Sequence, residues 1–131
     1  MNTKLDKILA EISAGELIDK ITILEIKKEK ISNKDKLIEI EKELLSLNDT
    51  VKKFIPSNSK VLKFKDNLRE INLKLWNIED GKRSSEKNND FGENFIRLAR
   101  EVYKFNDERA KIKLAINNAL GSNIKEVKSY E

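Results

Sequence analysis

Three stretches of this sequence repeat apolar residues at alternating intervals of three and four. Leu37, Ile40, Leu44, Leu47, Val51 and Phe54 form one seam. Val61, Phe64, Leu68, Ile71, Leu75 and Ile78 form a second. The longest runs through Phe91, Phe95, Leu98, Val102, Phe105, Arg109, Ile112, Ile116 and Leu120. This spacing lays each set along one stripe of an α-helix. Amphipathic helices joined by short connections bury their stripes against one another. The expected fold is therefore all-α: an antiparallel up-down bundle of about four long helices with an extended C-terminal tail. A single domain over residues 1–131 is expected, with helices near 13–31, 34–54, 58–80 and 90–120. One proline and four glycines in the whole chain are too few for the turns of an all-β protein.

Local signals place the ends. Ser13-Ala14-Gly15-Glu16 reads as a capping box, with the serine accepting from the third amide and Glu16 reaching back to Ser13. In the helix that follows, Leu17, Ile21, Leu24 and Ile31 share a seam broken by Lys28, while Ile23 and Ile26 fall on nearly the opposite side. A helix apolar on two faces is either sandwiched inside the domain or meets the tail or a second subunit. Residues 1–12 read as a short helix or an extended lead-in. Pro56 ends the second helix. The third stops at Gly81, or runs on to about 87 with Glu79 and Arg83 paired one turn apart. Asp90-Phe91-Gly92-Glu93 reads as a second capping box and Gly121 as a C-terminal stop. The helix between them reads as the last and central one of the bundle.

Composition removes several chemistries. With no Cys and no His, disulfides, thiolate or imidazole catalysis and ordinary zinc sites are excluded. A metal would have only carboxylates, amides and water as ligands, which suits Mg²⁺ or Ca²⁺. No such site is identified, and no cofactor is expected. The net charge of +4 lies wholly in residues 57–131, interleaved with acids. Nucleic-acid binding needs a purer basic face, so it ranks third among the functional readings. Asp6 and Glu11 interrupt any signal-peptide core, and no apolar run is long enough to cross a membrane. The simplest location is the cytoplasm.

Arg109 is the one charge on the longest seam. A guanidinium there is costly to bury unpaired. In an up-down bundle its level corresponds to Asp19–Lys20, Asn48 and Asp66–Glu70, so Asp19, Asp66 and Glu70 are the candidate partners. Asn48, Asn72 and Asn106 each lie one position beyond a seam residue. Two readings stand. One is a buried polar layer that fixes register. The other is a pocket in which Arg109, helped by Lys20 and the asparagines, binds a carboxylate or phosphate. A second cluster, Glu79, Asp80, Asp90 and Glu93 beside Arg83, is acidic enough to suggest Mg²⁺, but two of its members read as caps. Glu16 to Asp19 has the ExxD spacing used by all-α nucleotide pyrophosphatases, with no facing ExxE. Asp90-Phe91-Gly92 lacks every other kinase element. Asn48-Asp49-Thr50 is a sequon inside an expected helix.

Four segments together carry a resemblance: SAGELIDKITILEIKKEKI (13–31), LREINLKLWNIED (68–80), DFGENFIRLAREVYKFNDERAKIKLAINNALGS (90–122) and KEVKSYE (125–131). The chain resembles DUF6165, a family of small bacterial proteins of unknown function. The resemblance implies a helical fold and no particular mechanism. It also implies that Asp19, Trp76, Asp80, Asn106, Asp107, Arg109 and Tyr130 are family features. Val127 stands where a second acid is common in the ending.

The expected function is a non-enzymatic interaction or scaffold module that self-associates, its partner being a second copy, as a homodimer through the first helix or the tail, or another protein. The alternative is a small-anion or phosphometabolite binding protein or enzyme built on the Arg109 layer. For that site the candidate residues are Arg109, Asn106, Asp107, Asp19, Lys20, Glu16, Asn72, Glu79, Asp80 and Arg83. No catalytic set is identified.

Overall fold

The computed structural model describes residues 4–128. It contains four helices: α1 (Ala14–Lys30), α2 (Lys34–Phe54), α3 (Ser59–Lys87) and α4 (Glu93–Leu120). No strand occurs among the described residues. The fold is all-α with up-down-up-down order. Residues of α1 meet α4 in opposite senses, Gly15 against Asn117 and Asp19 against Arg109. Gly81 of α3 likewise lies against Leu98 of α4.

The helix that holds the bundle together is α1, not α4. It packs against all three others, whereas α4 packs against α1 and α3, and α2 packs against α1 alone. Length pointed to α4, but contact follows from how many faces are apolar. The two apolar faces of α1 are both used. Leu17, Ile18, Ile21 and Leu24 are buried, and Ile26 on the other side is 1% exposed. Ile18, Leu68 and Ile116 form the central cluster, one residue from each of α1, α3 and α4. Burying each such side chain stabilises the fold by about 1.5–3 kcal/mol.

The helix ends follow their sequence chemistry in part. Ser13 caps α1, its hydroxyl accepting from the Glu16 amide at 3.1 Å. Asn33 and Asn58 cap α2 and α3 in the same way. Gly121 ends α4 in the left-handed conformation at φ 62°, which glycine adopts freely. The second capping box does not form. Gly92 is the N-cap of α4 and offers no side chain, while the Asp90 carboxylate accepts from the Gly92 amide at 3.3 Å. Phe91 therefore stays half exposed outside the helix and stacks edge-on against Phe95 at 5.4 Å. α3 continues through Gly81 to Lys87 because the missing side chain there makes room for Leu98 of α4. Glu79 pairs with Lys82 at 3.5 Å rather than with Arg83.

Residues 4–12 form no helix, and Leu5, Ile8 and Leu9 are exposed. Beyond Gly121 the chain is non-helical through Lys128 and doubles back, with Glu126 reaching Lys113. Tyr130 lies outside the described residues.

Candidate functional site

Asp19 is the centre of the polar layer. It sits on the α1 face that meets α3 and α4, and it is fully buried. Its carboxylate accepts from Arg109 Nε at 3.0 and 3.2 Å and from Nη2 at 2.5 Å. This fork-to-fork geometry is the strongest an arginine makes with a carboxylate. From α3, Asn72 Nδ2 donates to Asp19 Oδ1 and to Thr22 Oγ1, both at 2.9 Å. Thr22 in turn donates to the Asp19 carbonyl at 2.7 Å. One carboxylate thus ties three helices together. Of the three carboxylates proposed as partners of Arg109, Asp19 takes the role, and Asp66 and Glu70 are exposed.

The second cation of the layer is Lys113, not Lys20. Lys20 is exposed. Lys113 is buried one turn beyond Arg109, with its amine 2.5 Å from Glu16, 2.9 Å from Glu126 and 3.9 Å from Asp19. Glu16 therefore turns toward α4 instead of closing the capping box. Asn117, one turn further, is buried and accepts from the Gly15 amide at 2.6 Å. Ser122 Oγ accepts from the Ala14 amide at 3.1 Å. With Ser13 serving the next amides, the first turn of α1 has its donors satisfied by protein. Arg109, Lys113 and Asn117 are spaced by four. That polar stripe beside an apolar seam was the sequence signal for the two residues not anticipated.

The electrostatics follow the geometry. The hydrogen bonds to Asp19 raise the Arg109 pKa, with burial acting against them. Burial pushes the Lys113 amine down, but hydrogen bonds to Glu16 and Glu126 and the charges of Glu16 and Asp19 more than offset it, so its pKa is raised. Lys128 and Lys113 together hold the Glu126 carboxyl down at about 2.

Beside this layer a cavity of about 400 Å³ opens between α1, α3 and α4. Ile23, Ile26, Leu75 and Trp76 form its apolar wall. Asn72, Asn106 and Arg109 form its inner polar edge, and Glu79, Asp80 and Arg83 its rim. Arg109 faces it with capacity to spare, because Nη1 has only Asn106 Oδ1, at 3.5 Å. Asp107 is half-buried on another face of α4 and does not line this cavity, and Asn48 lies near Ile18 and Val51, between α1 and α2. The acidic cluster does not assemble. Asp90 serves the Gly92 amide, and no group of three carboxylates among the described residues is placed to hold a metal ion. No helix among the described residues is long and apolar enough to cross a membrane.

These features define an all-α protein whose three-helix centre is clamped by one buried aspartate. The chain matches the model of a family of unknown function, DUF6165, over residues 8–131, and it belongs to that family. No curated protein and no solved structure matches it significantly.

Proposed function

We infer that this protein is an interaction module that self-associates through α2. One observation carries the reading: α2 is 21 residues long yet buries only Ile40. Ile38 and Leu45 are 62% and 67% exposed, on the side away from the α1 contact. At 100° per residue, Lys34, Ile38, Glu41, Leu45 and Asp49 share one stripe with Lys42 at its edge. That stripe is complementary to itself. Laid antiparallel on a second copy, Ile38 meets Leu45, Lys34 meets Asp49 and Glu41 meets Lys42, each pair made twice about the axis. A two-fold interface needs this kind of self-complementarity. With two large apolar side chains per copy the dimer is a weak one, with a Kd of about micromolar order.

The polar layer favours a structural role for Arg109, because Asp19 takes its Nε donor and one Nη2 donor within the fold, while Nη1 is left over. The surface of α4 alternates in sign, with Arg97 bonded to Glu101 at 3.0 Å, and this does not favour nucleic acid.

Size-exclusion chromatography with light scattering tests the reading. The expected mass is twice 15.2 kDa at high concentration and falls toward the monomer on dilution. Ile38→Lys with Leu45→Lys should be monomeric at every concentration, with helical circular dichroism unchanged. A wild-type chain that stays monomeric at high concentration would sink the proposal.

A further inference from the structure

We propose that the cavity beside Arg109 binds a free apolar α-amino acid. The argument begins with its walls. Ile23, Leu75 and Trp76 offer apolar surface, with Ile26 buried beside them. At about 400 Å³ the space is at the small end of ligand pockets and suits a small molecule. The polar edge carries both signs. Arg83 has no ion-pair partner among the described residues, and Arg109 keeps Nη1 only loosely held by Asn106. Opposite charge comes from Asp80, also without a cationic partner among the described residues, and from Glu79, whose contact with Lys82 is 3.5 Å.

A simple anion would meet Glu79 and Asp80 as well as the arginines. A simple cation would meet the arginines as well as the acids. A molecule bearing a carboxylate and an ammonium side by side answers both, with Arg83 and Arg109 taking the carboxylate and Asp80 and Glu79 the ammonium. Asn72 adds an acceptor. Its Nδ2 is committed to Asp19 and Thr22, while its Oδ1 accepts no bond from the protein. No buried side-chain polar atom among the described residues lacks a partner, so Oδ1 keeps access to the cavity that Asn72 lines. The apolar side chain of the ligand would rest on Ile23, Leu75 and Trp76. The site is independent of the outer stripe of α2, so it stands or falls apart from self-association.

Trp76 is the only tryptophan of the chain, so its emission reports on this cavity alone. The experiment titrates the full chain with leucine, isocaproate (leucine without the ammonium), isoamylamine (leucine without the carboxylate) and inorganic phosphate, with calorimetry as a second readout. Leucine should shift the emission saturably, and each analogue should bind at least about ten-fold more weakly. Asp80→Asn and Arg83→Gln, both at exposed positions, should each weaken leucine about ten-fold while leaving the thermal midpoint of the free protein in place. Isocaproate or phosphate binding as tightly as leucine would make this an anion site and overturn the proposal, as would isoamylamine doing so for a cation site. No saturable signal or heat with leucine at millimolar concentration, or variants that bind it unchanged, would also overturn it.

Discussion

Arg109 and Asp19 are individually improbable inside a small core and mutually necessary. Asp19 is fully buried and draws bonds from both Arg109 and Asn72. Removing the guanidinium leaves that carboxylate with Asn72 and a lysine 3.9 Å away. Arg109→Ala should therefore destabilise the protein by about 3–5 kcal/mol, the usual cost of leaving one member of a buried pair uncompensated. Urea denaturation measures it. Removing both partners together, Asp19→Leu with Arg109→Leu, should cost less than the sum of the single changes. A purely additive pair would mean that the layer does not act as a unit. Arg109 was legible in the sequence because a cation interrupted an apolar seam, and Asp19 because helix order put it at the same level. Lys113 left only its four-residue spacing from Arg109 and Asn117 as a signal. A lysine on a helix is solvated by default, and only the fold brings Glu16 and Glu126 to it.

At the scale of elements, two glycines report how closely helices meet. A side-chain carbon at Gly15 would lie 2.4 Å from the backbone oxygen of Lys113, so α1 and α4 would have to separate. At Gly81 the same carbon would lie 3.0 Å from Leu98 Cδ1, the far end of a flexible side chain. Gly15→Ala should cost about 1–3 kcal/mol by overpacking. Gly81→Ala should fall within about 1 kcal/mol of neutral, because gained helix propensity offsets the displacement of Leu98. Thermal melts of the two variants side by side check the contrast, and equal losses would contradict it. This explains why the end of α3 could not be read locally. A glycine stops a helix or admits a neighbour, and which of the two depends on what packs there. Periodicity marked the seams of α3 and α4 well. It marked the inner face of α2 as well, but that stripe has only α1 to meet and stays half-buried, because period reports which face is apolar and not how many neighbours cover it.

For the whole molecule, the segment after α4 is held by charge. Lys128 and Lys113 lower the Glu126 pKa from the ordinary 4.5 to about 2. A depressed carboxyl contributes stability that is complete above its unfolded value and lost as pH falls through its folded value. The contribution of this latch should be whole above about 4.5 and disappear as the pH approaches about 2. Because Glu126 is exposed, water and salt screen the effect, and it should appear as local release rather than global unfolding. A carboxyl titration by NMR should place Glu126 near 2, with faster amide exchange at 122–128 on the acid side. A midpoint near 4.5 in the intact protein would show that the latch is not made.

The seal on the start of α1 has a consequence in time. The amides of Ala14 and Gly15 are closed by Ser122 and Asn117, residues 108 and 102 positions later in the chain. During synthesis α1 leaves the ribosome before the other three helices, apolar on two sides and with its leading turn open, and only α2 is available soon to cover it. The helix that every other helix leans on is thus the first made and the last completed. Closing contacts between residues so far apart in sequence slows folding. Half-made chains would carry a greasy, unfinished helix for most of their synthesis, a state that favours chaperone capture over early folding.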